Sequence, residues 1–303
     1  MTDHIRIVEV GPRDGLQNEK LQVPTDLKIR FIEALAAAGL REIEATSFVS
    51  PKRVPQLADA EALWPMLSHG PAFSALTPNL KGLERAISLD VDRIAVFTAA
   101  SETFTQKNIN MSIDQSIETF AEMISIFRAS RPTGFVRGYV STAFECPYEG
   151  RIDPGQTVRV IEKLLNLGVD EVSIGDTIGV AAPPEVKSLT RLVLNVMSRG
   201  KITYHFHDTN GTAIANVAEA MEMGIESFDS SAGGLGGCPF APGAGGNLAT
   251  EDLVYFLERC GIPTHVDLYR LATSSLEILK VLGRSPCAKG QLARLSLSGT
   301  SPT

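Results

Sequence analysis

KITYHFHDTNGTAIANVAEAMEM, residues 201–223, holds one complete strand-to-helix unit, and its reading decides the fold. The spacing predicts a strand over 201–206, a polar turn, and a helix over 211–223 with its apolar residues on one face. Alternate side chains of a strand share a face, so His205 and His207 project together while Phe206 turns away. Two imidazoles side by side at a strand end make half of a site for a divalent cation. The alternative is a pair of barrel-lining histidines that only hydrogen-bond to their neighbours.

The same unit recurs in both directions along the chain. Strands are predicted at 5–10, 42–46, 71–76, 93–98, 135–141, 170–174 and 226–230. Helices are predicted at 26–38, 54–68, 79–89, 113–130, 154–167, 184–198 and 250–260, with Thr25 as the cap of the first and Gly39 as its end. With the quoted unit this makes eight alternations at roughly thirty-residue spacing, the size of a βαβ unit. Eight such units predict an α/β fold, a closed parallel (β/α)8 TIM barrel; fewer would suit an open doubly wound sheet. A helical stretch at about 265–282 lies outside the pattern. No Pro-, Ser- or Gly-rich linker divides the chain, so residues 1–303 read as one domain, a barrel over about 5–262 and a C-terminal helical extension over about 263–303.

Composition narrows the partners. A net charge of −7 argues against nucleic acid, whose binding draws on basic surface. No run approaches the ~20 apolar residues of a membrane span. Cys146, Cys238, Cys260 and Cys287 are widely spaced with no C-x-x-C pair, which fits reduced thiols in a cytoplasmic protein.

Three long or glycine-rich loops, 11–24, 99–112 and 231–249, all follow strands, so all open at the end of a barrel where active sites are built. Closure would make strands seven, eight and one neighbours. His205 and His207 would then meet Asp14, just past strand one, and Asn247, past strand eight. Two imidazoles, a carboxylate and an amide oxygen suit Mg²⁺ or Mn²⁺, with Zn²⁺, Co²⁺ and Fe²⁺ also compatible by ligand type. Pro12-Arg13-Asp14-Gly15 is in addition good turn chemistry. Arg13 beside Asp14 could stabilise a developing enolate or carboxylate oxygen, or form a salt bridge, for instance to Glu44. Glu44, facing the barrel near the end of strand two, could orient that arginine, contact substrate, or do both. Asp176, after strand six, is either a rim site residue or a turn residue.

Residues 233–247, GGLGGCPFAPGAGGN, invite a phosphate-loop reading. Pro239 occupies the third glycine position of a dinucleotide fingerprint, and the chain's Gly200-Lys201 is followed by Ile202 rather than Ser or Thr. The stretch reads instead as a lid carrying one thiol, Cys238, which is an acid–base candidate if its pKa is tuned and otherwise inert.

Taken together, EVGPRDGLQNE (9–19), SFVSPK (47–52), RGYVS (137–141), CPYEG (146–150), GDTIG (175–179), HFHDT (205–209) and GGLGGCPFAPGAGGNLATEDL (233–253) resemble the 3-hydroxy-3-methylglutaryl-CoA lyase family, from strand one through the eighth helix. The cysteine-bearing glycine loop is the most specific of these motifs. The resemblance implies retro-Claisen cleavage of that acyl-CoA to acetyl-CoA and acetoacetate, chemistry of leucine breakdown and ketone bodies. It implies Mg²⁺ or Mn²⁺ on Asp14, His205, His207 and Asn247, Arg13 on the thioester carbonyl, a catalytic Cys238, and a homodimer. Gly246 departs from relatives that carry Ser or Thr there, which is expected to loosen the loop. Lys20, Lys52, Lys81 and Lys107 lie where coenzyme A phosphates could be met, or are ordinary solvated surface. A condensing synthase acting on a 2-oxo acid would share Arg13, Asp14 and the histidines but would leave the glycine loop unexplained. A Schiff-base aldolase would need a barrel-end lysine. A non-catalytic acyl-CoA binder would be marked by loss of Arg13, Cys238 or a metal ligand, and none is lost.

Overall fold

A computed structural model describes residues 4–68, 70–237 and 246–297. Eight strands, β1 (Arg6–Glu9), β2 (Glu42–Ser47), β3 (Ala72–Leu76), β4 (Arg93–Ala99), β5 (Phe135–Ser141), β6 (Glu171–Asp176), β7 (Ile202–Phe206) and β8 (Ser227–Ser230), follow one another around a closed barrel. Every pairing among these eight strands is parallel, and closure runs through β1, which pairs with β8 from Arg6↔Ser227 and with β2 at Val8↔Glu42. The predicted TIM barrel is the observed fold.

The strands have two faces of opposite character. Ile202, Tyr204 and Phe206 of β7 are all at most 1% exposed and belong to the apolar layer under the helices, with Tyr204 and Phe206 stacked at 5.0 Å between ring centroids. Burying such side chains contributes roughly 1.5–3 kcal/mol each, which holds the helices on the barrel. The inward residues Thr203 and His205 meet Ser227 and Asp229 of β8 instead. A barrel interior filled with polar and charged groups departs from the usual Val, Ile and Leu layers.

The helices are α1 (Thr25–Ala37), α2 (Ala60–Leu63), α3 (Leu80–Ser88), α4 (Glu102–Ile109), α5 (Ile113–Ser130), α6 (Pro154–Asn166), α7 (Pro183–Val193), α8 (Ala213–Glu222), α9 (Thr250–Arg259), α10 (Leu268–Ser274), α11 (Leu276–Val281) and α12 (Lys289–Leu297). Thr25 lies inside α1 and is not its cap; Pro24 holds the cap position, and the Thr25 hydroxyl donates to Asp59. The helix expected over 54–68 breaks into short turns and α2: Pro55 is tolerated at the first position of its turn, whereas Pro65, inside the expected helix, lacks the donor that would continue it. The loop over 99–112 contains α4, capped where the Ser101 hydroxyl accepts the Phe104 amide at 3.0 Å and ended by Asn110 in left-handed conformation. The final stretch is α10 and α11 rather than one helix, and α12 adds a third piece.

Candidate metal centre at the barrel mouth

At the end of β1 the chain makes one wide turn, Gly11–Gly15, in which the amides of Arg13, Asp14 and Gly15 all point at Val10 O at 3.2, 2.7 and 3.1 Å. Such five-residue turns place side chains where a strand or an ordinary helix would not. Gly15 is required, since a Cβ there would lie 2.8 Å from Ser231 Oγ and 2.9 Å from Leu235 Cβ. The turn aims Asp14 across the barrel at His205 and His207, and one ligand atom from each of the three lies within 4.8 Å of the others.

Asn247 joins them from the far side of the glycine loop. Asp208 N–H donates to Gly246 O at 3.0 Å and Leu248 N–H to Phe206 O at 2.9 Å, which clamps Asn247 against His207. Its Nδ2 donates to Asp14 Oδ2 (2.9 Å) and Leu235 O (3.0 Å). Its Oδ1 is buried, and among the described residues no hydrogen-bond donor reaches it. A buried amide oxygen costs free energy unless something satisfies it. Two imidazoles, a carboxylate and this oxygen therefore fit a divalent cation in number and kind. At Gly246 a Cβ would sit 2.1 Å from Gly234 O, so glycine allows a close backbone approach beside Asn247, while the loop that this glycine was expected to loosen lies mostly outside the described residues.

Electrostatics prepare the carboxylate. Burial pushes Asp14 up, but Arg13, both histidines and the Asn247 amide outweigh it and hold its pKa at about 2. Arg13 is itself 5% exposed. Burial works against its charge, yet Glu44 and Asp14 hold its pKa up. Glu44 Oε2 accepts from Arg13 Nε (2.7 Å) and Nη2 (2.6 Å), Asp14 Oδ1 accepts from Nη1 (2.7 Å), and the guanidinium lies 5.3 Å from the Tyr139 ring centroid. Glu44 is wholly buried and also accepts from Tyr139 at 3.0 Å. Of its two expected roles, orienting Arg13 is the one the contacts describe.

A cavity of about 740 Å³ opens above this cluster. Arg13, Asp14, His205 and His207 form its floor, Phe97, Phe104, Ile109 and Leu76 give it an apolar wall, and Asn79, Asn108 and Asn110 add amides. Lys20, Lys52, Lys81 and Lys107 are all exposed and outside this lining; Arg53, which sequence reasoning missed, is within it. Asp176 takes the turn role. It accepts the amides of Val180 (3.1 Å) and Ala181 (3.0 Å), and burial, partly countered by those bonds, pushes its pKa up to about 6. Cys238 lies outside the described residues. Also missed as site residues were Tyr139 and Ser173, which line the cavity, and Arg137 and Asp229 outside that lining, whose sequence signal is charge on the inward positions of strands that should be apolar inside.

Fold and site together define a (β/α)8-barrel enzyme with a cation-type cluster beside a buried guanidinium at the C-terminal ends of its strands. The family model described as HMGL-like matches residues 4–277, and the chain belongs to that family. It is 50% identical over 288 residues to the mitochondrial hydroxymethylglutaryl-CoA lyase of Bos taurus, covering 94% of this chain and 88% of that one. Among solved structures it is similar to the hydroxymethylglutaryl-CoA lyase of Pseudomonas aeruginosa (TM-score 0.94, 44% identity, 98% and 99% of the two chains). It is also similar to an HMG-CoA lyase of Acinetobacter baumannii in complex with coenzyme A and 3-methylmalate (TM-score 0.91, 39% identity, 99% and 97%). Relatives bear both mitochondrial and cytoplasmic in their names.

Proposed function

We propose that the protein is a divalent-cation-dependent lyase that cleaves 3-hydroxy-3-methylglutaryl-CoA to acetyl-CoA and acetoacetate. The observation that carries this reading is the cluster of Asp14, His205, His207 and the buried Asn247 Oδ1 beside Arg13, in a chain of the HMGL-like family. These four residues would hold the cation, for which Mg²⁺ or Mn²⁺ suits the mixed N/O set. When bound, such a cation supplies Lewis-acid polarisation of a hydroxyl and a carboxylate oxygen.

The cleavage removes the proton of the tertiary hydroxyl and breaks the bond between C2 and C3. The bonding electron pair passes to the thioester enolate, and a proton then returns to C2 to give acetyl-CoA. Glu44 and Asp14 engage three of the five N–H groups of Arg13, leaving one on each terminal nitrogen for the enolate oxygen. A fixed, buried guanidinium stabilises charge there without reorganising. Glu44 holds that guanidinium in place. Cys238 is assigned the return of the proton to C2, on the strength of the loop motif around it.

The apolar wall of the cavity and the amides at its rim suit an acyl-thioester with a long polar carrier. No helix among the described residues is long and apolar enough to cross a membrane. A cytoplasmic location accords with the free thiols of Cys146, Cys260 and Cys287, and a homodimer accords with the family resemblance; fractionation and sedimentation test these.

The deciding assay mixes protein, 3-hydroxy-3-methylglutaryl-CoA, Mg²⁺ or Mn²⁺ and a thiol reductant. Acetoacetate and acetyl-CoA should form, EDTA should stop them, and added metal should restore them. Folded, metal-loaded protein that yields neither product would end the substrate assignment.

A further inference from the structure

Beneath the candidate centre lies a chain of buried charges that the proposed chemistry does not use. His205 turns its Nε2 toward Asp14 Oδ2, 3.9 Å away, and its Nδ1 toward Asp229 Oδ2 at 3.2 Å. Asp229 is 1% exposed on β8. Its Oδ2 also accepts from Ser173 Oγ at 2.8 Å, and its Oδ1 accepts from Arg137 Nη1 at 2.8 Å. Arg137, 5% exposed on β5, is fixed in turn by Glu171 Oε1 at 2.6 Å and contacts Tyr139 Oη at 3.1 Å. Arg137 and Ser173 hold Asp229 as an ionised carboxylate, which can only accept, so a neutral His205 ring that bonds to it must donate from Nδ1.

We propose that Asp229 is a positioning residue, which keeps the neutral His205 ring protonated on Nδ1 so that the Nε2 lone pair faces Asp14. This rests on the reading of His205 as a cation ligand. The hydrogen bond to one ring nitrogen decides which nitrogen is free to ligate.

The geometry makes an unusual demand of Asp229→Asn. Arg137 can only donate, so the new amide must place its carbonyl oxygen where Oδ1 was and its NH₂ where Oδ2 was. That NH₂ then donates to His205 Nδ1, which forces the ring proton onto Nε2. A shape-preserving substitution thereby removes the lone pair from the cation side. Ser173→Ala deletes one donor to the same oxygen and leaves the tautomer alone.

The test uses long-range ¹H–¹⁵N spectra of metal-free protein with ¹⁵N-labelled histidine, at a pH that keeps the ring neutral. His205 is assigned by comparison with His205→Asn. The wild type and Ser173→Ala should show His205 protonated on Nδ1, and Asp229→Asn should show it on Nε2. Titration with Mn²⁺, read by electron paramagnetic resonance, should give Asp229→Asn a Kd about 10–100 times that of wild type. An Nε2–H tautomer in wild type overturns the inference, even if Asp229→Asn fails to fold. So does an Asp229→Asn protein with unchanged tautomer and Mn²⁺ affinity. Wild-type protein that fails to bind Mn²⁺ removes the ligand reading, a result the metal-free tautomer does not depend on.

Discussion

Arg13 and Asp14 are neighbours in sequence to which the proposed function gives separate tasks. Arg13 is gripped by Glu44 and Asp14, and its guanidinium has no lone pair to offer a cation. Arg13→Met should therefore lower kcat by about 10²–10³, the usual cost of a lost donor to a developing oxyanion. Mn²⁺ affinity should change far less, and paramagnetic titration beside steady-state kinetics separates the two. Asp14→Ala or His207→Ala should instead weaken Mn²⁺ binding and turnover together. If Arg13→Met turned over like wild type, its role in stabilising the enolate would be wrong.

Among elements, β1, the base of the glycine loop and α9 meet around two buried carboxyls. Glu9 accepts from the Gly11 amide (2.8 Å), the Ala232 amide (3.0 Å) and the Thr250 hydroxyl (2.7 Å). Both oxygens of Glu251 accept the Gly233 amide at 2.9 Å. Burial, partly offset by these bonds, pushes Glu9 up to about 7. Burial, with the charges of Glu9 and Asp252, pushes Glu251 up to about 8 against its own backbone bonds. The folded state thus keeps both protons to higher pH than the unfolded chain, whose glutamates titrate near 4.5. Stability is full below that value and falls as pH rises through about 7 and 8, by on the order of a few kcal/mol. Melting temperature should decline from pH 5 to 8.5, and Glu251→Gln, which keeps an acceptor for Gly233, should flatten the decline. An equal slope in the variant would show that Glu251 is not its source.

For the molecule as a whole, the helices after α9 are fastened to the barrel. Asp267 N–H donates to Ala38 O at 2.7 Å at the end of α1, and Gly290 N–H donates to Asp252 of α9, while buried Gln291 holds α12 on α10 through Ala272 O (2.9 Å) and Ser275 Oγ (2.8 Å). We expect barrel and extension to unfold as one unit, with far- and near-ultraviolet circular dichroism melting together. Ligand binding to the folded state alone adds about 2.7 kcal/mol at a hundred times Kd. Saturating Mn²⁺ should raise the melting temperature by several degrees in wild type and leave Asp14→Ala unmoved.

The sequence by itself determined the eightfold strand–helix order, the shared face of His205 and His207, and Asp14 and Asn247 as residues that closure would bring to them. Those readings rest on local periodicity, on turn chemistry, and on a barrel's habit of gathering its post-strand loops at one end. Local pattern also misjudged Thr25, whose hydroxyl turns to Asp59, and left Asp176 open between a rim role and the turn role that its backbone bonds describe. Only the tertiary structure decided what lies beneath the cluster. Asp229, Arg137, Ser173 and Tyr139 come from three strands, and each polar side chain looks locally like any other. Their meaning is a set of donor–acceptor pairings across a closed barrel, and no spacing along one strand encodes which charge on another will face it.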